Sequence, residues 1–434
     1  MHDVSFVRHE MLSPQPAPAS QVGPLRWARE NLFSSILNSF LTIVSAAAVI
    51  LALAHLWPWF AHSVWHAGSL RECREMIAQR WGEDATGACF AVIRDRWKQF
   101  LFGFYPSELY WRPTLSFVLL LAALAPILFS AVPRRMLWFS IAFPGIVYWL
   151  LWGGSLALPI CVYAGFLVGM LVHRLVGPRF GSLLALIGGV LATLIWWFYL
   201  AGPVAGLLET ILPFLTLEPV ASKRFGGFML SIVIGATGIA FSLPLGVLLA
   251  LGRRSGLFII QSICIGFIEF IRGVPLITLL LVASFLLNIF LPPGTNFDII
   301  LRVIIMVTLF SAAYMAETIR GGLAALPRGQ YEAADALGLD YWQAMRLVIM
   351  PQALKISIPN IVNNFISLFK DTTLVAIIAL LDPIGLVTSI RADSNWNGIV
   401  WELYGFVALI FFICCYSMSV YSKHLERRLR TDHR

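Results

Sequence analysis

An all-α, polytopic membrane protein of about ten transmembrane helices is the fold class this sequence predicts. Three observations carry it. The 434 residues are 59% hydrophobic and only 12% charged, with mean hydropathy +0.80, which is more apolar matter than a water-soluble core requires. Apolar runs of about 20 residues, the length that crosses a ~30 Å hydrocarbon core, recur along the chain. Lys and Arg fall in short segments between those runs, as topology determinants do, so the net charge of +8 points to no nucleic acid.

The elements follow in chain order. Residues 1–33, with SPQPAPAS and RWARE, hold no compact apolar stretch ending in a small-residue cleavage site, and read as a cytoplasmic tail instead of a removable signal. The first span, Ser34 to about Trp57, is then a retained signal anchor. A mixed-charge loop, residues 59–112, follows on the outer side. Further spans centre near residues 121, 146, 165, 191, 239, 278, 311, 370 and 410. Two helices must share Leu137 to His173 around the WGGS turn, because Arg135 and Arg174 both read as cytoplasmic. Ten spans also keep Arg26, Arg29, Arg134, Arg253, Arg254, Arg320, Arg328 and the KHLERRLR tail inside, which puts both termini in the cytoplasm. The chain divides near residue 220 into a membrane extension, 34–220, and a motif-rich membrane core, 221–424, with a cytoplasmic tail at 425–434.

The stretch YEAADALGLDYWQAMRLVIMP, Tyr331 to Pro351, interrupts the apolar pattern between the eighth and ninth spans. Glu332 to Leu337 are good helix formers, Gly338 supplies a break, the helix resumes from Tyr341 to Ile349, and Pro351 stops it. Small side chains at Ala333, Ala334 and Ala336 leave a helix slim enough to enter a groove on another protein. An ordinary helical loop packed on its own membrane domain is the alternative.

Glu332-Ala333-Ala334, then Gly338, then Val348, Met350 and Pro351 resemble the EAA loop of ABC-importer permeases, here spanning residues 327–355. FIRGVPL (270–276), AAYMAETIRGG (312–322), MPQALKISIPN (350–360) and FKDTTL (369–374) extend the resemblance to the polar amino-acid permease family over about residues 225–425. With its long extension, the chain is similar to the M-type permease subunit of the general L-amino-acid ABC transporter. The resemblance implies a five-helix permease core and an inner-membrane transport subunit for a broad range of L-amino acids. It also implies the partners: a periplasmic amino-acid-binding protein, a second homologous permease and ATP-binding cassette subunits, with Glu332, Ala333, Ala334, Gly338 and Pro351 forming the ATPase coupling element. No GK dipeptide occurs, hence no phosphate loop, so ATP and Mg are expected on the partner ATPase and no cofactor on this chain.

The remaining site residues come from burial and compartment. Cys73 and Cys89 share the outer loop and are expected to form a disulfide, whereas Cys161, Cys264, Cys414 and Cys415 lie in spans. Lys370 and Asp371 fall near the middle of the ninth span, where a charge costs about 2.5–3.5 kcal/mol, so each needs a partner. Glu317 is expected to neutralise Lys370 as a structural pair. Asp371 is left to face the path and meet a substrate α-ammonium, with hydroxyl help from Thr372 and Thr373; capping a helix break is its alternative role. His62 and His66 are spaced for a metal but have no third ligand nearby, so no metal site is expected. A secondary amino-acid transporter is the rival functional class, and a membrane-embedded enzyme a weaker one, since no nucleophile or paired carboxylates stand out.

Overall fold

The computed structural model describes residues 23–129, 131–211, 216–286 and 298–429, in two compact units, Met1–Val92 and Ile93–Arg434. The expected tails, 1–33 and 425–434, fall partly outside the described residues. The expected division near residue 220 separates motif-poor from motif-rich sequence; the compact units divide elsewhere, after Val92.

In the first unit, α1 (Pro24–Asn31) opens on Pro24, whose fixed φ suits a first helical turn. Then α2 (Ile36–Ala61) begins where the Ser35 hydroxyl accepts from the Asn38 amide. This is the first span. Ser69 caps α3 (Leu70–Trp81), which turns Cys73 and Ile77 inward and is otherwise polar. Cys73 and Cys89 are disulfide-bonded, with Cα atoms 6.1 Å apart. His62 stacks on Trp81 at 4.8 Å and faces the Thr86 carbonyl at 3.3 Å.

The second unit takes up from α4 (Ala91–Phe102) and carries α5 (Trp111–Leu128), α6 (Leu137–Trp152), α7 (Ala157–Phe180), α8 (Ser182–Ile195) and α9 (Ala201–Ile211). Between α6 and α7 the chain turns at Gly153 and Gly154, with φ +73° and +78°, a conformation only glycine takes cheaply. The turn lets β1 (Gly154–Ser155) pair antiparallel with β2 (Thr216–Leu217). Two helices thus share the 137–173 stretch. A π-helical turn, Trp196–Leu200, joins α8 to α9 and aims the indole N–H of Trp196 at the Cys161 carbonyl, 2.7 Å, and that of Trp197 at the Val162 carbonyl, 3.0 Å.

The motif-rich stretch forms α10 (Gly227–Arg253), α11 (Phe258–Gly273), α12 (Leu276–Leu281), α13 (Ile299–Ala324), α14 (Arg328–Ala336), α15 (Tyr341–Ala344), α16 (Met350–Asp371), α17 (Pro383–Arg391) and α18 (Trp401–Leu429). The core sits between α10, α13 and α16. Leu230, Ile234, Val303, Val307 and Leu368 fill one end of it, and Met315, Ile319, Leu323, Ile349 and Ala353 the other. Among the described residues nine helical runs are long and apolar enough to cross a membrane, ten if the α11–α12 pair counts as one.

Two expectations need correction. The span centred near 278 is not straight: α11 and α12 meet at 102°. Pro275 is the cause, since its ring pushes Val274 out of the helical region to φ −105°, ψ 132°. Pro351 does not stop its helix either. The run Tyr341–Ile378 continues past it through a π-helical turn, Met345–Ile349, whose wider hydrogen-bond spacing accommodates a residue with no N–H to give. Lys370 and Asp371 close α16, and the seven-residue 3₁₀ run Thr372–Ile378 follows them.

Candidate functional site

The EAA segment is built by local backbone chemistry. Here α14 covers Arg328–Ala336 and ends in a left-handed Gly338, φ +71°. The Gly338 amide donates to the Asp335 carbonyl at 2.9 Å and the Leu339 amide to the Ala334 carbonyl at 3.2 Å. That pair of bonds is a Schellman closure, which glycine permits and a β-branched residue resists. Two residues on, Asp340 and Gln343 cap one another's backbone amides and start α15. The segment is therefore two short helices at a fixed elbow.

Its faces are unlike. Ala334 is buried against the chain's own core, whereas Glu332, Ala333, Asp335 and Ala336 are exposed and Leu337 is 75% exposed. Tyr331 fastens the inner face: its hydroxyl receives the Arg254 guanidinium at 3.2 Å, with that guanidinium over the ring at 5.9 Å. Gln330 accepts from Gln352 at 2.9 Å, tying α14 to α16 close to Pro351. Of the five residues expected to couple to an ATPase, Glu332 and Ala333 look outward, Ala334 inward, and Gly338 and Pro351 shape the connection.

The charged cluster lies at the same end of the bundle. Arg253 at the end of α10 donates to Glu269 of α11 and to Glu317 of α13, both at 3.0 Å; Arg272 reaches Glu317 at 3.7 Å, and Arg320 binds it at 2.6 Å. Glu317 thus serves three arginines and not Lys370, as the sequence proposed. Axial register explains it. Leu368 lies level with Val307, both close to Gly238, and ten helical residues from Val307 to Glu317 rise about 15 Å, beyond the reach of a lysine. Sequence reasoning used Arg253 and Arg320 only as topology markers and passed over Glu269 and Arg272. The signal was available, since four charges in otherwise apolar helix ends need counter-charges.

Farther along, Asn364 donates to the Thr318 hydroxyl at 2.9 Å and Ser357 to the Thr318 carbonyl at 3.3 Å, a polar seam between α13 and α16. Asp371 is half-buried and has no hydrogen-bond partner among the described residues; Lys370 beside it is exposed. Thr372 is not at a path. It is fully buried, its hydroxyl donates to the Phe369 carbonyl at 2.7 Å, and its methyl group faces Gly235. Thr373 likewise donates to the Lys370 carbonyl at 2.8 Å. Both hydroxyls spend their protons on the switch from α-helix to 3₁₀-helix, which leaves Lys370 and Asp371 as the polar side chains of the motif without a hydrogen bond among the described residues.

A bundle of apolar spans interrupted by a polar elbow of two short helices fits a membrane-transport subunit, and comparison with known proteins supplies the family. The family described as "Binding-protein-dependent transport system inner membrane component" matches residues 242–431. The glutamate/glutamine/aspartate/asparagine transport system permease protein BztC of Rhodobacter capsulatus is 58% identical over 435 residues, 100% of both chains. The inner membrane amino-acid ABC transporter permease protein YhdY of Escherichia coli strain K12 is 37% identical across 96% of each. A probable glutamine permease, GlnM of Bacillus subtilis, is 32% identical over 213 residues, 49% of this chain but 95% of its own length. A crystal structure of an amino acid ABC transporter with histidines superposes on 46% of this chain and 90% of its own at 31% identity and TM-score 0.42. The chain belongs to the family of amino-acid ABC transporter permeases: it is a multi-pass inner-membrane transport subunit, and these relatives lend the secondary-transporter alternative no support.

Proposed function

We propose that this chain is one half of the permease path of an importer whose energy comes from separate cytoplasmic ATP-binding cassette subunits, which hold the ATP and Mg. A periplasmic binding protein delivers the amino acid, a second homologous permease completes the path, and the two termini of this chain face the cytoplasm. The observation that carries the reading is the elbow of α14 and α15. Its outer face offers Glu332, Ala333 and Leu337 to a partner while Ala334, Tyr331 and Gln330 lock its inner face to α10 and α16. A push on such an elbow is transmitted to the span that carries Asp371.

The substrates are amino acids, with the acidic and amide ones in the name of the Rhodobacter relative as first candidates and other L-amino acids as a wider range. Asp371 supplies the group they all require, a carboxylate for the α-ammonium. Reconstitution of this chain with its partners in proteoliposomes tests both parts. ATP-dependent glutamate uptake is expected, competed by other L-amino acids. Asp371→Asn should keep assembly and ATPase stimulation but slow transfer, and Ala333→Asp, harmless to the chain's own packing, should uncouple the ATPase. Uptake at the wild-type rate in both variants rejects the reading.

A further inference from the structure

Residues of α4 lie outside the stretch that matches the transport family, 242–431, yet they grip residues inside it. Arg96 donates from Nη2 to Asp393 Oδ2 at 2.8 Å, and Trp396 donates from Nε1 to Asp95 Oδ2 at 2.9 Å. We propose that Asp95 and Arg96 are positioning residues for transport: through Trp396 and Asp393 they set the segment 381–400, at the end of the bundle remote from α14, so that the docking of a loaded binding protein there is converted into movement of α16 and α18. The proposal rests on the importer reading above.

The chemistry singles out this contact. Trp396 is fully buried, so its indole N–H cannot turn to water, and the carboxylate it depends on comes from α4. Asp393 uses both oxygens: one takes Arg96 and the other accepts the Asn395 amide at 2.9 Å, so the clamp and the fold of the segment share a single carboxylate. The ends of the segment are held by the same block. The Gly227 amide at the start of α10 donates to the Leu381 carbonyl at 2.7 Å, and any side chain at Gly103 would collide with the backbone of Gly226. Phe100 of α4 meets Phe406 of α18 with ring centroids 5.2 Å apart. The segment itself links the 3₁₀ end of the Asp371 span to α18. Two outer ends of the core therefore follow wherever α4 holds it.

The test uses the whole complex in nanodiscs, with and without glutamate-loaded binding protein. Trp396→Phe keeps a buried aromatic ring but removes the N–H together with part of the indole volume; Arg96→Ala removes the cation from both Asp393 and Asp95. Both should leave complex yield and basal ATPase activity unchanged while cutting stimulation by loaded binding protein about 3- to 30-fold, the range expected for a coupling element. The exchange Arg96→Asp with Asp393→Arg should recover part of what either change loses alone. Full stimulation in Trp396→Phe and Arg96→Ala overturns the proposal, and so does a parallel fall in yield, basal rate and stimulation, which marks a plain structural staple. A wild-type complex that ignores loaded binding protein fails the importer reading instead, before any variant is compared.

Discussion

The spans α7 and α13 are close in length and both apolar, yet half of the most apolar stretch of α13 is buried in protein and only 17% of that of α7. Composition does not separate them. What does is the placement of small residues against neighbours: a side chain at Gly322 of α13 would strike the Ala353 backbone and the Ser357 hydroxyl, and one at Gly246 of α10 would strike Met315. In the extension, Gly145 of α6 meets Tyr163, and Gly165 and Gly169 of α7 meet Trp197 and Thr193, whereas a side chain added at Gly202 or Gly206 of α9 would meet nothing within 4 Å. Both sets of helices use small residues for close approach; the core buries more of its apolar surface around them, and α9 of the extension leaves its glycines open.

The contrast breaks most visibly on one pair of substitutions. Gly322→Leu drives a large side chain into backbone that cannot move aside and should cost about 3 kcal/mol or more, seen as loss of assembled protein and a much lower unfolding temperature in detergent. Gly206→Leu should stay within about 0.5 kcal/mol of wild type. Equal losses would mean that the extension is packed as tightly as the core.

Residues 62–90 of the first unit sharpen the comparison differently, because α3 turns only Cys73 and Ile77 inward and has little apolar burial to rely on. A covalent link across 16 residues should supply about 3 kcal/mol in the chain-entropy model. Cys73→Ser with Cys89→Ser should make residues 62–90 readily cleaved by protease while α10 to α18 stay resistant. Unchanged resistance would show that packing alone holds the segment.

Charges in the core give a smaller effect. Glu317→Gln keeps the shape but leaves Arg253, Arg272 and Arg320 with Glu269 alone. Since the Glu317 side chain is about one-fifth exposed, water offsets part of the loss, and about 2 kcal/mol is expected, less than for a fully buried pair. The destabilisation should shrink when Arg320 is also changed to Gln, which a double-mutant cycle on unfolding temperature can read.

Which of these features could be read from the sequence follows from their range. The spans, the WGGS turn and the break at Gly338 depend on hydropathy and local φ, which are properties of neighbouring residues. The bend at Val274 was equally local, but a proline inside a long apolar run passes for a tolerated kink. The Glu317 partner, the burial of Thr372 and the inward face of Ala334 depend on how far one helix slides past another. The sequence carries no axial register, so adjacency in the topology was mistaken for contact. The π-helical turn before Pro351 hid for a related reason: a helix-stopping residue became a helix-continuing one once the preceding turn widened.

The last test concerns Asp382, which lies between the Asp371 span and α18 and begins α17. Its carboxylate accepts the Ile384 amide at 3.1 Å and the Gly385 amide at 2.9 Å, bonds that favour the charged form. Burial opposes them and wins, pushing the Asp382 carboxyl up to about 6. A raised value means that the folded protein holds this proton more tightly than the unfolded chain. The stability it contributes is therefore complete below the ordinary carboxylate range and is lost as pH climbs through about 6. Above that pH the fold carries a buried charge that costs on the order of 3 kcal/mol. Asp382→Asn carries no charge but has a single acceptor oxygen, so it keeps the bond to one of the two amides and turns an NH2 toward the other. Wild type should exceed it in unfolding temperature most at pH 4, by a few degrees, and the gap should narrow as pH rises to 7.5 and the buried charge appears. A gap that widens with pH would show instead that the ionised cap, and not the cost of burying it, governs this end of the core.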